Sequence, residues 1–325
     1  MYIIFGEPLE QFFGNVLQER IKVRDSLRGW SDALRPEKNL YLPQYVVAGK
    51  YCDSGRDVWW KYVKKAAAKK TKPLLQGNLY HEIMAEIIPL AKKYIYNNGA
   101  MAGFDILSHL MELREGTIDG IFEGHRSDVM SLLRVSDINE IKDNMRKMWN
   151  YQAVQLAASV DMVISKFMRI EPDALVAKAI PVSVEQRLDG SRIGLSRQLS
   201  VDALHVPQTV MMDIKTGKPQ PFHSITITGY AMAYESEFNR PVDIGCIIYP
   251  QFISGKGVPY IEKKLYVIDD AARTEFLGER DRKMKIIGDA NDPGLASYCP
   301  KSCSYFMNCH PSGEDERIKA QAPSL

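Results

Sequence analysis

Two carboxylates and a lysine in the stretch VDALHVPQTVMMDIK, residues 201–215, have types and spacing suited to chemistry on a phosphodiester. Two apolar runs, 201–206 and 210–214, each carry one acid, Asp202 and Asp213. Pro207, Gln208 and Thr209 supply a turn between them. A hairpin centred on Pro207-Gln208 sets Asp202 directly opposite Asp213, with Cβ atoms roughly 4.5–5.5 Å apart. Like charges so placed repel, so stability alone does not select the pair. A divalent cation between them reverses the sign, because carboxylates are hard-metal ligands. Lys215 projects from the face of Asp213, since side chains alternate with period two. This is the layout of a metal-dependent phosphodiesterase. An acid-x-Lys triplet is common by itself: Glu140/Lys142, Glu262/Lys264 and Asp281/Lys283 repeat it in charged segments where a solvated face accounts for it. Asp213/Lys215 differs in lying in an apolar strand with a second acid across the hairpin.

The five cysteines offer a second chemistry. Cys299, Cys303 and Cys309 read C-x3-C-x5-C, and three close cysteines in a reducing compartment are metal ligands rather than disulfides. A four-thiolate site needs one more, and Cys52 and Cys246 are the candidates. Cys246 lies in an apolar strand and reads as core. Cys52 is preferred because it sits at a helix start, where its sulfur can be presented. Zinc and an iron–sulfur cluster are both admissible on this chemistry. His81, near the start of a helical stretch, is not part of a zinc-protease signature, since HEIMA lacks the second histidine. A single helix histidine is ordinarily structural.

The elements that position these residues follow from periodicity. Residues 9–27 have helical spacing, and 30–47, with two prolines, read as an extended arm. Asp53-Ser54 caps a helix running through Lys70. It carries Arg56, Trp59, Lys64, Lys65, Lys69 and Lys70. Those cations fit a solvated face, and the tryptophans among them also fit a nucleic-acid surface, because bases stack on aromatics. Residues 77–97 form a helix with a core stripe of Leu79, Ile83, Ile87, Leu90 and Tyr94; His81 points away from it. Residues 103–170 are helical, with Asp137 and Glu140 in a capping box, and read as an insertion or lid. From Ile180 three strands, a helix over 220–238, a strand over 242–249, a strand over 260–267 and a helix over 269–287 follow. They predict an α/β (α+β) protein with a mixed sheet flanked by helices. The chain divides into 1–76, 77–179, 180–290 and 291–325, the last ending in a polar tail.

The bulk numbers bound the partners. A net charge of +2 gathers no nucleic acid by its overall field, so DNA binding needs a local patch. No apolar run approaches the roughly 20 residues of a membrane span, and the N-terminus carries no signal-peptide pattern. A cytoplasmic protein is expected.

Taken together, these residues resemble the RecB-type nucleases of the PD-(D/E)XK superfamily, and specifically the CRISPR-associated iron–sulfur exonuclease, the fourth Cas protein, in its archaeal Csa-one variant. WSDALRP, NLYLPQYVVAGKYC and RDVWWKYV, within residues 30–63, look like that variant. The resemblance implies that Cys52, Cys299, Cys303 and Cys309 hold an iron–sulfur cluster, 4Fe-4S favoured over 2Fe-2S or zinc, joining the two ends of the chain. It implies Mg²⁺ or Mn²⁺ held by His81, Asp202, Asp213 and the Ile214 backbone carbonyl, with Lys215 acting on the transition state and Tyr230 orienting Lys215 or a phosphate. Glu185 falls where many members have an acid one strand earlier. The implied activity is exonucleolytic trimming of single-stranded or overhanging prespacer DNA beside the CRISPR integrase. The chain departs from the family where a glutamine is usual four residues before the tyrosine: it has Thr226. A non-catalytic DNA-binding scaffold of an adaptation complex, and a repair nuclease outside CRISPR, are the rival readings.

Overall fold

Apolar and β-branched residues between 182 and 267 build five strands: β1 Val182–Leu188, β2 Leu199–His205, β3 Val210–Ile214, β4 Ile244–Gln251 and β5 Tyr260–Val267. They form one sheet in the order β1-β2-β3-β4-β5. The computed structural model describes residues 22–37, 39–99, 102–167 and 169–313. The helices are α1 Gln44–Ala48, α2 Arg56–Tyr62, α3 Lys72–Asn98, α4 Gly103–Gly124, α5 Arg126–Leu132, α6 Val135–Ile164, α7 Pro172–Ala179, α8 Ser224–Phe238, α9 Asp270–Asp289 and α10 Phe306–Cys309. Strands β1, β2 and β3 are successively antiparallel, β3 and β4 are parallel, and β4 and β5 antiparallel. Parallel neighbours need a crossover, and α8 supplies it.

Each face of the sheet is covered. Val210, Met212 and Ile214 of β3 join one core with Leu79, Ile83 and Ile87 of α3, Leu110 of α4 and Trp149 of α6. Met211 joins the other, with Met232 of α8, Phe276 of α9 and Val47 of α1. Alternation along β3 thus sends Asp213 to the α8 side. Helix α8 is buried nearly all round, from Ile225 to Ala233, as a helix lying between a sheet and further helices must be. Its Glu235 is fully buried and receives Arg28, Arg273 and the backbone N–H groups of Gly29 and Val242.

Four expectations need correction or limits. The helix after Cys52 ends at Tyr62 rather than Lys70. Lys65 takes a left-handed conformation (φ 54°), and Ala66 N–H turns back onto the Trp60 carbonyl, so Lys64, Lys65, Lys69 and Lys70 lie on irregular chain. The arm at 30–47 is not wholly extended, since Asp32–Leu34 makes a 3-10 turn and Gln44 opens α1. The segment 103–170 is three helices that share the α3 core with the sheet; the last ends at Ile164, and Asp137 is not its N-cap but its third residue, accepting the Arg134 N–H. The helix expected over 9–27 lies outside the described residues up to 21, and residues 25–27 form a 3-10 turn. Among the described residues no helix is long and apolar enough to cross a membrane.

Candidate active site

Strands β2 and β3 pair with Ala203 opposite Met212, and the same register carried one residue on sets Asp202 opposite Asp213. Pairing between β1 and β2 skips that level, because Glu185 adopts a positive φ of 49° and breaks the ladder. Glu185 itself is exposed and accepts a hydrogen bond from Ser200 Oγ. Asp202 Oδ2 accepts the Ile214 N–H at 2.7 Å and lies 3.3 Å from His81 Nδ1, so α3 and the hairpin meet at this carboxylate. Lys215 Nζ is 2.8 Å from the buried Asp213 Oδ2, as an ion pair.

The charges follow from burial and neighbours. Burial raises the Asp213 pKa to about 6; Lys215 opposes the rise and Asp202 adds to it. Burial would also raise Asp202, but His81 and the Ile214 N–H outweigh it and hold the carboxyl below its ordinary value. Burial lowers the pKa of both His81 and Lys215, and their carboxylate neighbours reverse the sign, leaving each above its ordinary value. The Tyr230 hydroxyl is raised well above its ordinary value by burial and by Asp202, Asp213 and Glu185, which places it beside the same charges.

A cavity of about 650 Å³ opens on this centre. His81, Ile214 and Lys215 line it, and so do Cys52, Cys299, Cys303 and Cys309. Cys303 is raised by burial and feels Cys52 and Cys309 nearby. Trp60 Nε1 donates to Cys309 Sγ at 3.3 Å. Cys246 is buried in β4, and burial pushes its thiol up to about 12. None of the five cysteines is in a disulfide. Among the described residues, no three His, Cys, Asp or Glu side chains converge into a finished metal shell.

The basic segment divides: Arg56 lines the cavity, and other members make contacts of their own. Trp59 is buried, and its Nε1 donates to the Ala290 carbonyl. Arg56 forks onto Asp292 at 2.8 and 2.6 Å. Lys70 pairs with Asp128 at 2.6 Å, and Lys64 lies over the Trp59 ring. Lys64, Lys65 and Lys69 are exposed. Thr226 is buried, and its carbonyl accepts from the Gln44 amide, whose close approach Gly229 permits by having no Cβ.

Sequence reasoning missed a group beside Lys215. His223 is buried; its Nδ1 is 3.0 Å from the Tyr249 hydroxyl and its Nε2 is 3.1 Å from the Tyr51 hydroxyl. Burial, then Lys215, lowers its pKa to about 4. These partners are 26 and 172 residues from His223, so no local pattern announced them.

Fold and site together define an α/β protein with a half-buried acid–acid–lysine centre facing a thiol-lined cavity. Residues 14–312 match a family model described as CRISPR-associated exonuclease Csa1. The chain is similar to a protein named CRISPR-associated exonuclease Csa1 from Saccharolobus solfataricus, 32% identical over 305 residues, which are 91% of this chain and 97% of that one. It is also similar to a protein of the same name from Thermoproteus tenax, 29% identical over 297 residues, 90% and 94% of the two chains. The chain therefore belongs to the CRISPR-associated exonuclease Csa1 family.

Proposed function

We propose that this protein is a metal-dependent DNA exonuclease with a PD-(D/E)XK-type core, trimming single-stranded or overhanging prespacer ends in CRISPR adaptation, in company with the integrase. The observation that carries the reading is Asp213: a buried carboxylate with Lys215 at 2.8 Å and a second acid, Asp202, across the hairpin. Two carboxylates facing each other in a buried hairpin repel, and hard oxygen donors suit Mg²⁺ or Mn²⁺. Asp202, Asp213 and the Ile214 carbonyl, with His81, would hold the ion. When bound, it would lower the pKa of water and neutralise charge on the scissile phosphate.

The side chains supply the rest. Lys215, kept protonated by Asp213 and Asp202, offers a fixed positive charge to the phosphoryl oxygens as charge grows there. His81 orients Asp202 through their contact. Tyr230, kept protonated, can donate a hydrogen bond to phosphate. The four thiols that line the cavity are soft donors of the kind that hold iron–sulfur clusters, and the Trp60 N–H to Cys309 is a hydrogen bond of the kind that tunes them. Cys52, Cys299, Cys303 and Cys309 would hold such a cluster.

The test is cleavage of labelled single-stranded, overhanging and blunt DNA by anaerobically purified protein with Mn²⁺, Mg²⁺ or chelator. Metal-dependent shortening of single-stranded ends, lost in Asp202→Ala and Asp213→Ala, is expected. Full activity in either variant with Mn²⁺ present would overturn the assignment. Visible absorption and an iron assay decide between cluster and zinc.

A further inference from the structure

Tyr51 combines two properties that seldom coincide: it is 65% exposed, and it is fixed at several points. Its hydroxyl meets His223 Nε2 at 3.1 Å. Its ring packs edge-on against Phe222, centroids 5.0 Å apart at 90°. His223 is anchored in turn, because its Nδ1 accepts from the Gln220 N–H and lies 3.0 Å from the buried Tyr249 hydroxyl. With Nδ1 the acceptor, Nε2 carries the proton and donates to Tyr51. A buried histidine thus holds the hydroxyl end of a tyrosine while its ring lies at the surface.

The position matters as much as the rigidity. Tyr51, His223, Lys215 and His81 line the same cavity. Tyr298, 67% exposed, lines it too. An exposed ring held beside a phosphodiester-cleaving centre has a natural occupant, a nucleobase, because every base offers a π-face. Base pairs inside a duplex are already stacked, so such a ring selects an unpaired end.

We propose that Tyr51 is a base-stacking platform that seats the terminal unpaired nucleotides of DNA at the Lys215 centre, and that His223 is the positioning residue that fixes it. This rests on the nuclease reading above and names how its single-strand preference arises. Stacking on one aromatic side chain is worth roughly a ten-fold change in affinity or more.

The experiment uses the full chain with Ca²⁺ in place of Mn²⁺, and a set of single strands each carrying one abasic position, stepped inward from the end. In the native protein, one or two adjacent positions should bind on the order of ten-fold more weakly when the base is missing. In Tyr51→Leu that position-specific penalty should vanish, because nothing is left to stack, while Tyr51→Trp should keep it. His223→Gln should shrink it and reduce the quenching of 2-aminopurine placed at that position. Tyr260→Ala, on an exposed tyrosine of β5, is the control and should match the native protein. A penalty that persists in Tyr51→Leu, or native binding that is indifferent to every abasic position, overturns the inference. If the native protein cleaves single strands but shows no such position, only the stacking role falls. If it neither binds nor cleaves them, the nuclease reading falls as well.

Discussion

At the scale of single residues, the centre is a set of mutually dependent charges. Lys215→Ala removes the cation that Asp213 faces, so cleavage should fall by about a hundred-fold or more, as for other fixed groups acting on a transition state. Metal affinity measured by calorimetry should change far less, since the lysine is not among the proposed ligands. Equal losses of binding and rate would remove its assigned role. His223 gives a pH signature. Its pKa in the fold is depressed to about 4, while the unfolded chain protonates near 6.5. Between those values the unfolded state binds more protons, so stability should fall as pH falls from about 6.5 to 4, by up to about 3 kcal/mol. Urea midpoints of native protein and His223→Gln across that window measure it, and parallel curves would clear His223. Asp202, Asp213 and Lys215 were legible because a hairpin register is set locally. Tyr51, His223 and Tyr249 were not, because only the folded sheet brings a loop, an arm residue and a strand residue together.

At the scale of elements, α8 is the part on which the others are assembled. It carries Tyr230 toward the acids and sets β4 parallel to β3. Its last turn carries Glu235, which binds Arg28 at 2.7 Å and Arg273 at 2.7 and 2.9 Å. Glu235→Ala takes the bidentate carboxylate from the fully buried Arg273 and leaves Arg28 with Asp243 alone, and breaking a buried pair costs about 3–5 kcal/mol. A fall of that size is expected in denaturant unfolding. Gly29→Ala should destabilise as well, because an added Cβ would sit 1.9 Å from the Met232 carbonyl. A silent Glu235→Ala would mean that α8 is anchored by apolar packing alone. The strands were readable from turns and alternation. The end of α2 was not, because Lys65 is a good helix former that nonetheless takes a left-handed turn. The 103–170 helices were recognisable as helices, but an amphipathic stripe does not say which partner it meets, and here that partner is the α3 core.

At the scale of the whole molecule, residues 53–69 and 292–304 are tied together before any metal is considered. Arg56 forks onto Asp292, Ser54 Oγ donates to the Gly294 carbonyl, Ser297 N–H donates to Asp53, and Lys69 N–H donates to the Ser304 carbonyl. Cys52 and the three later cysteines line one cavity inside this junction. A cluster held there would act as a fifth tie, contributing binding energy that is also folding energy. Cys52→Ser should therefore release iron and bleach the visible absorption, yet leave the ends docked through the polar ties, with only modest new proteolysis near Trp59 and Tyr298. Cys52→Ser combined with Arg56→Ala should open both sites together, because the bidentate pair and the thiolate are then lost at once. Cys246→Ser should keep its metal, since that thiol is buried in β4 and held protonated. Metal content and limited proteolysis of the three variants give a direct comparison. Iron lost from Cys246→Ser but retained in Cys52→Ser would show that the fourth thiolate is the strand cysteine, and that residues 53–69 and 292–304 are joined by their hydrogen bonds and ion pairs alone.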